Sequence, residues 1–165
     1  MFEHPRLTER LCAGIVELVR EPIDVVVGPT TGGVILAHEV ARQLGTRAAF
    51  AEREEGRAGR TLRRGQRLDS GDRVLVVDDI LSTGGSLNET LAAVRASGAR
   101  ARQIAVLVDR SGGAELGVPL VALWTNAIET YSPRACPLCE RGVPATKPGT
   151  TPAAAGATKG GGRRA

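Results

Sequence analysis

The 165-residue chain has no apolar run of the roughly 20 residues that a membrane-spanning helix needs. Its opening, MFEHPRLTER, is charged and leads into no apolar segment, so it does not read as a secretory leader and a cytoplasmic location is expected. Cysteine is scarce: Cys12, Cys136 and Cys139 are too few for a disulfide framework. Lysine is missing from the body of the chain and first occurs at Lys147, so the body's strong cations are all arginines. Acids are missing from the other end. All of them fall between Glu3 and Glu140, whereas residues 145–165 carry Lys147, Lys159, Arg163 and Arg164 and no carboxylate. The net charge of +4 therefore belongs to the tail, and the near-neutral body offers no basic face to nucleic acid. Two nucleotide-binding motifs are absent as well. No G-x-x-x-x-G-K-[ST] occurs and no G-x-G-x-x-G follows a strand, which argues against a P-loop ATPase and a dinucleotide dehydrogenase.

What the chain does have is a regular alternation of short apolar runs and amphipathic segments, at a length that suits one domain with a sizeable core. Residues 6–20 space their apolar side chains as an amphipathic helix does. IDVVVG (23–28) is a continuous apolar run, as expected of a strand buried on both faces. PTTGG then turns into VILAHEVARQLG, a helix stopped by Gly45. Further strands are predicted over 46–52, 73–79, 101–110 and 118–125, and a further helix over 85–98. Residues 53–72, charged and punctuated by glycine, predict a mobile loop or an exposed hairpin. Such alternation builds an α/β fold: a doubly wound, mainly parallel sheet with helices on both faces. The domain is expected to span 1–144, with the basic Ala/Gly/Thr-rich tail, 145–165, disordered.

The stretch VLVVDDILSTGGS (74–86) carries the chemistry. In an open parallel sheet, ligands bind at the carboxyl ends of the strands, where Asp78 and Asp79 lie. ILSTGGS then runs into the N-terminus of a helix, whose free backbone N–H groups and dipole favour an anion. Glycine allows close backbone approach, and Ser82, Thr83 and Ser86 add hydroxyls. A ribose 5-phosphate meets both demands, its phosphate on the loop and its 2- and 3-hydroxyls on the acids. Read instead as a strand cap followed by an ordinary turn, the stretch would bury two carboxylates without a polar partner, which is costly.

This stretch resembles the phosphoribosyl-pyrophosphate (PRPP) signature of the type I phosphoribosyltransferases. VVVGPTTGGVILAHEVA, VLVDRSGG and ETYSPRACPLCERGVPATKPG resemble the orotate branch, of the short type with a C-terminal Cys-x-x-Cys. The resemblance implies the type I phosphoribosyltransferase fold with a mobile lid loop. It implies that Asp78 and Asp79 bind the ribose hydroxyls, and that Ile80, Leu81, Ser82, Thr83, Gly84, Gly85 and Ser86 cradle the 5-phosphate. Thr30, Thr31, Gly32 and Gly33 match the family's first loop, which presents N–H groups to pyrophosphate; Ser82 and Arg110 match positions that contact orotate. Residue chemistry agrees for Arg110, since it follows an apolar strand and a guanidinium binds a carboxylate bidentately. Arg53 best matches a family lysine and is the candidate catalytic cation of the lid, with Arg57, Arg60, Arg63 and Arg64 unranked beside it. Arginine in place of the family's lysines and histidine keeps the charge but gives up proton donation at neutral pH. The reaction implied transfers ribose 5-phosphate from PRPP to orotate, giving orotidine 5-phosphate and pyrophosphate on the way to UMP. Mg²⁺ is the implied cofactor and a homodimer the implied assembly, with no nucleic-acid or membrane partner. The orotate branch usually carries a further segment over the base site ahead of the first matched helix, so with the sequence starting at MFEHPRLTERL either the true start lies upstream or the protein lacks that hood.

Two other readings stay open. An adenine-type salvage phosphoribosyltransferase is compatible with a body lacking lysine, whereas the hypoxanthine–guanine type reads its purine oxygen with one. A non-catalytic regulator of this fold would bind nucleotide without turnover. Among lesser signals, Cys136 and Cys139 supply only two of a zinc site's four ligands and read as a tight turn with buried or free thiols. Cys12 and His38 are expected to pack, and Trp124 and Tyr131 to lie beneath the sheet.

Overall fold

The apolar run ahead of Gly28 becomes the strand its composition predicts: β1 (Val25–Pro29) is buried at all five positions. The computed structural model describes residues 2–126, 128, 129, 131, 132 and 135–143, so the tail over 145–165 lies outside the described residues. Two compact units are present, Met1–Ile128 and Glu129–Ala165. In the first, α1 (Pro5–Leu18) starts on a proline, whose missing N–H costs nothing in the first turn. After β1 comes α2 (Gly32–Leu44), which stops at Gly45 in the left-handed region at φ 67°. Then follow β2 (Arg47–Arg53), β3 (Arg60–Leu62), β4 (Arg73–Leu81), α3 (Gly85–Ala96), β5 (Arg100–Asp109) and β6 (Leu120–Thr125). The second unit contains the short helix α4 (Pro137–Glu140). No described helix is long and apolar enough to cross a membrane.

The sheet order is β3-β2-β1-β4-β5-β6. All pairings are parallel except β2 with β3, which closes an antiparallel hairpin. The segment over 53–72 is therefore a hairpin. Strand alternation sorts the core into two layers. Val25, Val27, Val74 and Val76 pack with Leu87, Leu91 and Val94 of α3. Val26, Leu75 and Val77 face the other way, onto Ile15 of α1 and Leu36 and Val40 of α2. Cys12 joins that second layer, as expected. At the amino end of the sheet, Asp24 takes hydrogen bonds from the Arg73 N–H and guanidinium at 2.9, 2.8 and 2.7 Å. Those bonds hold its carboxyl well below the usual range and tie β1 to β4 at the end opposite their loops.

Three expectations need correction. β4 does not stop at Asp79 but continues to Leu81. Trp124 is 58% exposed, because β6 is an edge strand, and Tyr131 in the second unit is also exposed. His38 is exposed on α2.

β1 ends against the first turn of α2 with no room between them. A Cβ on Gly28 would lie 2.0 Å from the Gly33 carbonyl oxygen, whereas one on Gly45 would meet nothing within 4 Å. Gly28→Ala should therefore cost about 3 kcal/mol or more in a denaturant titration, and Gly45→Ala roughly 1 kcal/mol, from its positive φ alone. Equal costs at the two positions would contradict this account.

Candidate active site

β1 and β4 lie side by side, but the helix after β1 leads to β2 on one side and the helix after β4 leads to β5 on the other. Such a topological switch opens a crevice at the carboxyl ends of the two strands. Three segments meet there. Beyond β1 the chain turns through Thr30 and Thr31, joined by a cis peptide, and Gly32 begins α2. Beyond β4, residues 82–84 turn into α3 at Gly85. Beyond β5 comes Arg110, whose N–H donates to the Leu81 carbonyl at 2.9 Å, so Arg110 flanks the end of β4. Its side chain is exposed.

Neighbouring residues of a strand point to opposite faces, and this divides the acid pair. Asp78 turns toward α3: its Oδ2 accepts the Ser86 hydroxyl at 2.9 Å and its Oδ1 the Asp79 N–H at 3.0 Å. It is only 6% exposed. Burial pushes its carboxyl up to about 6, with the charge of Asp79 adding to the rise and the Ser86 and Asp79 N–H bonds opposing it. Asp79 turns toward α2, where its Oδ2 stands 2.5 Å from the place of a Cβ on Gly32. Its Oδ1 accepts the Ile80 N–H at 2.8 Å. Each acid thus addresses one helix N-terminus, where backbone N–H groups lack helical partners and favour an anion.

The residues expected to cradle the 5-phosphate span the end of β4 and the turn after it. Ile80 and Leu81 belong to β4, and the Leu81 side chain is buried in the core. Ser82, Thr83 and Gly85 are exposed and Ser86 half-buried. Gly84 takes φ 77°, which only glycine adopts cheaply, and so turns the chain into α3. Among the described residues no three His, Cys, Asp or Glu side chains gather as a metal site. Cys136 and Cys139 are free, with the Cys139 N–H 3.4 Å from the Cys136 Sγ in the turn that the sequence predicts.

The hairpin separates its arginines sharply. Arg57 and Arg63 pair with Glu54, and Arg64 with Glu52 of β2, all within the hairpin. Arg53, 66% exposed, reaches α3 and pairs with Glu89. Arg60, only 10% exposed, also meets Glu89 and donates from Nη1 to the Thr30 Oγ1 at 2.8 Å. Residue matching favours Arg53, while burial and contact with the first loop favour Arg60. Glu89 escapes a motif reading. The available signal is its spacing, three residues after Ser86 and so on nearly the same helix face. A cavity of about 850 Å³ lies beside this contact, between the hairpin and α3, lined in part by Leu62, Leu68, Ala92 and Ala96.

Comparison with known proteins gives a consistent result. The family model described as phosphoribosyl transferase domain matches residues 3–118. Over 152 residues the chain is 48% identical to a protein named orotate phosphoribosyltransferase from Pelotomaculum thermopropionicum, covering 91% of this chain and 79% of that one. A protein of the same name from Desulforamulus reducens is 44% identical, covering 91% and 78%. Among solved structures, an orotate phosphoribosyltransferase from Aeropyrum pernix aligns with a TM-score of 0.58 at 28% identity, covering 73% of this chain and 70% of that one. An adenine phosphoribosyltransferase from Thermoanaerobacter pseudethanolicus aligns with a TM-score of 0.64 at 17% identity, covering 76% and 83%, a likeness of fold alone.

The Asp78 environment yields a titration test. Its carboxyl should titrate near pH 6 by ¹³C NMR, and Ser86→Ala should raise that value further by removing a hydrogen bond to the charged form. Because the folded value lies above the unfolded one, the stability this group contributes is full below about pH 4 and is lost as pH rises through about 6. A midpoint at the ordinary aspartate value would show that the side chain is not buried as described.

Proposed function

The chain belongs to the orotate phosphoribosyltransferases, and from that membership we propose that it transfers ribose 5-phosphate from PRPP to N1 of orotate. The single observation that supports this best is the pairing at the switch point: two carboxylates on opposite faces of one strand, each beside a helix N-terminus. Ribose between two anion sites needs that arrangement, with its hydroxyls on Asp78 and Asp79, its 5-phosphate on Ser82–Ser86 and pyrophosphate on Thr30–Gly33. Arg110, with Ser82, is the proposed carboxylate and ring contact for orotate, standing at the neighbouring strand end.

In the reaction the bond from the anomeric carbon to pyrophosphate breaks, the bond to orotate N1 forms, and the N1 proton leaves to solvent. Positive charge develops on the ribose and negative charge on the leaving group. The carboxylates of Asp78 and Asp79 suit the first, and the first-loop N–H groups with Arg60 and Arg53 suit the second. Arginine holds its proton at neutral pH, so the hairpin assists as fixed charge and by excluding water rather than as a general acid. Mg²⁺ fits this site as an ion carried mainly by substrate oxygens and water: two hard carboxylate donors are present and no three-residue metal cluster is found among the described residues. Asp78 and Asp79 are the residues that would meet it, and it would neutralise charge on the pyrophosphate. A homodimer in the cytoplasm is the proposed working form.

Pyrophosphate release should occur with PRPP, Mg²⁺ and orotate, and not with adenine, hypoxanthine or uracil. Release with adenine alone would move the chain to purine salvage. PRPP binding with no release for any base would favour the regulator reading. Given orotate turnover, Asp79→Asn should lower kcat/KM about 100-fold. Arg110→Ala should raise the KM for orotate roughly 10-fold or more while leaving that for PRPP nearly unchanged.

A further inference from the structure

Glu89 has no place in the PRPP signature, yet it is the residue on which the hairpin and α3 converge. Its carboxylate takes two bonds from Arg53, Nη2 to Oε1 at 2.8 Å and Nε to Oε2 at 3.2 Å. Arg60 approaches from the other strand of the hairpin, its Nε 3.3 Å from Oε2, a charge contact without hydrogen-bond geometry. Arg60 Nη1 in turn donates to the Thr30 Oγ1 at 2.8 Å and to the Ala51 carbonyl at 3.4 Å. A chain of contacts therefore runs from α3 through Glu89 and Arg60 to the first residue of the loop after β1. Nη2 of Arg60 donates no hydrogen bond among the described residues, so the guanidinium keeps N–H groups for an incoming anion.

A carboxylate beside an anion site works against anion binding by simple Coulomb repulsion. Its presence here calls for a compensating role, and the geometry supplies one. An arginine side chain loses much rotamer freedom when it is fixed. Glu89 and Thr30 fix Arg60 before any ligand arrives. We propose that Glu89 is a positioning residue for pyrophosphate, holding the Arg60 guanidinium against Thr30 so that a diphosphate group on the first loop meets a preplaced cation. Arg53 is the exposed half of the same clamp and anchors the base of the hairpin to α3. The proposal rests on the assignment of the first loop to pyrophosphate, but not on the identity of the base.

The test is calorimetric binding of inorganic pyrophosphate with Mg²⁺ to the full chain, for wild type, Glu89→Gln, Arg60→Gln and the double variant. Each single variant should weaken pyrophosphate about 10-fold, and the double variant should be no worse than Arg60→Gln alone, because Glu89 acts through Arg60. In steady-state assays Glu89→Gln should raise the KM for PRPP while leaving the KM for orotate unchanged, a split that general loss of structure would not produce. Tighter pyrophosphate binding by Glu89→Gln would overturn the proposal, because the acid would then be a competitor for the arginines. Additive losses in the double variant would overturn it too, since Glu89 would then act independently of Arg60. Coupling between Glu89 and Arg60 in pyrophosphate binding, without turnover of orotate, would uphold the clamp and refute the orotate assignment. Orotate turnover with pyrophosphate affinity indifferent to Glu89 would do the reverse.

Discussion

A Cβ on Gly28 would sit 2.0 Å from the Gly33 carbonyl oxygen, and one on Gly33 would sit 2.6 Å from the Pro29 ring. This mutual exclusion of side chains lets the first turn of α2 fold back onto the end of β1. Every other feature of the crevice is measured from that contact. It sets the N–H groups at the start of α2 beside β4, brings Gly32 under the Asp79 carboxylate and places Thr30 within reach of Arg60. The Asp24–Arg73 pair fixes β1 to β4 at the far end of the sheet, so the two strand ends that form the crevice are held in register from below.

Within that frame the acid pair divides into two sites of different character. Asp78 is buried, bonded to Ser86 and held close to half protonation in mildly acidic solution. Asp79 is more open and bonded to its own strand. A ligand with two neighbouring hydroxyls would meet one acceptor fixed by the fold and a second with more freedom to adjust. The burial that raises Asp78 also keeps bulk water from competing for its oxygens, so the cost in stability and the gain in binding have the same origin.

Much of this was legible in the sequence, and the remainder was hidden for physical reasons. Continuous apolar runs revealed β1 and β4, Gly45 revealed the end of α2, and the two acids before a glycine-rich turn lie where the topology opens its crevice. The extension of β4 to Leu81 was hidden because Ile80 and Leu81 look equally at home in a strand or a loop. The side chain of Leu81 is buried although the motif assigns it to the ligand. Trp124 was misplaced because an aromatic residue in an apolar run says nothing about whether its strand is at an edge. Glu89 could not be ranked because one exposed-looking acid on an amphipathic helix resembles any other. Its meaning depends on Arg53 and Arg60, which are 36 residues and 29 residues away in sequence. The sequence likewise could not order the hairpin's arginines. The pairing of Arg57, Arg63 and Arg64 with Glu52 and Glu54, set against the burial of Arg60 and its bond to Thr30, separates them.

The hairpin's cations have one further consequence. A lysine lid can be switched off by acylation of its amines, and it fades as alkaline pH strips its protons. The guanidinium groups of Arg53 and Arg60 are not open to acylation of that kind. Cellular acetyl donors and laboratory amine reagents find no amine on them. Charge control around the hairpin therefore falls to the acids that pair with its arginines, Glu52 and Glu54 within it and Glu89 on α3.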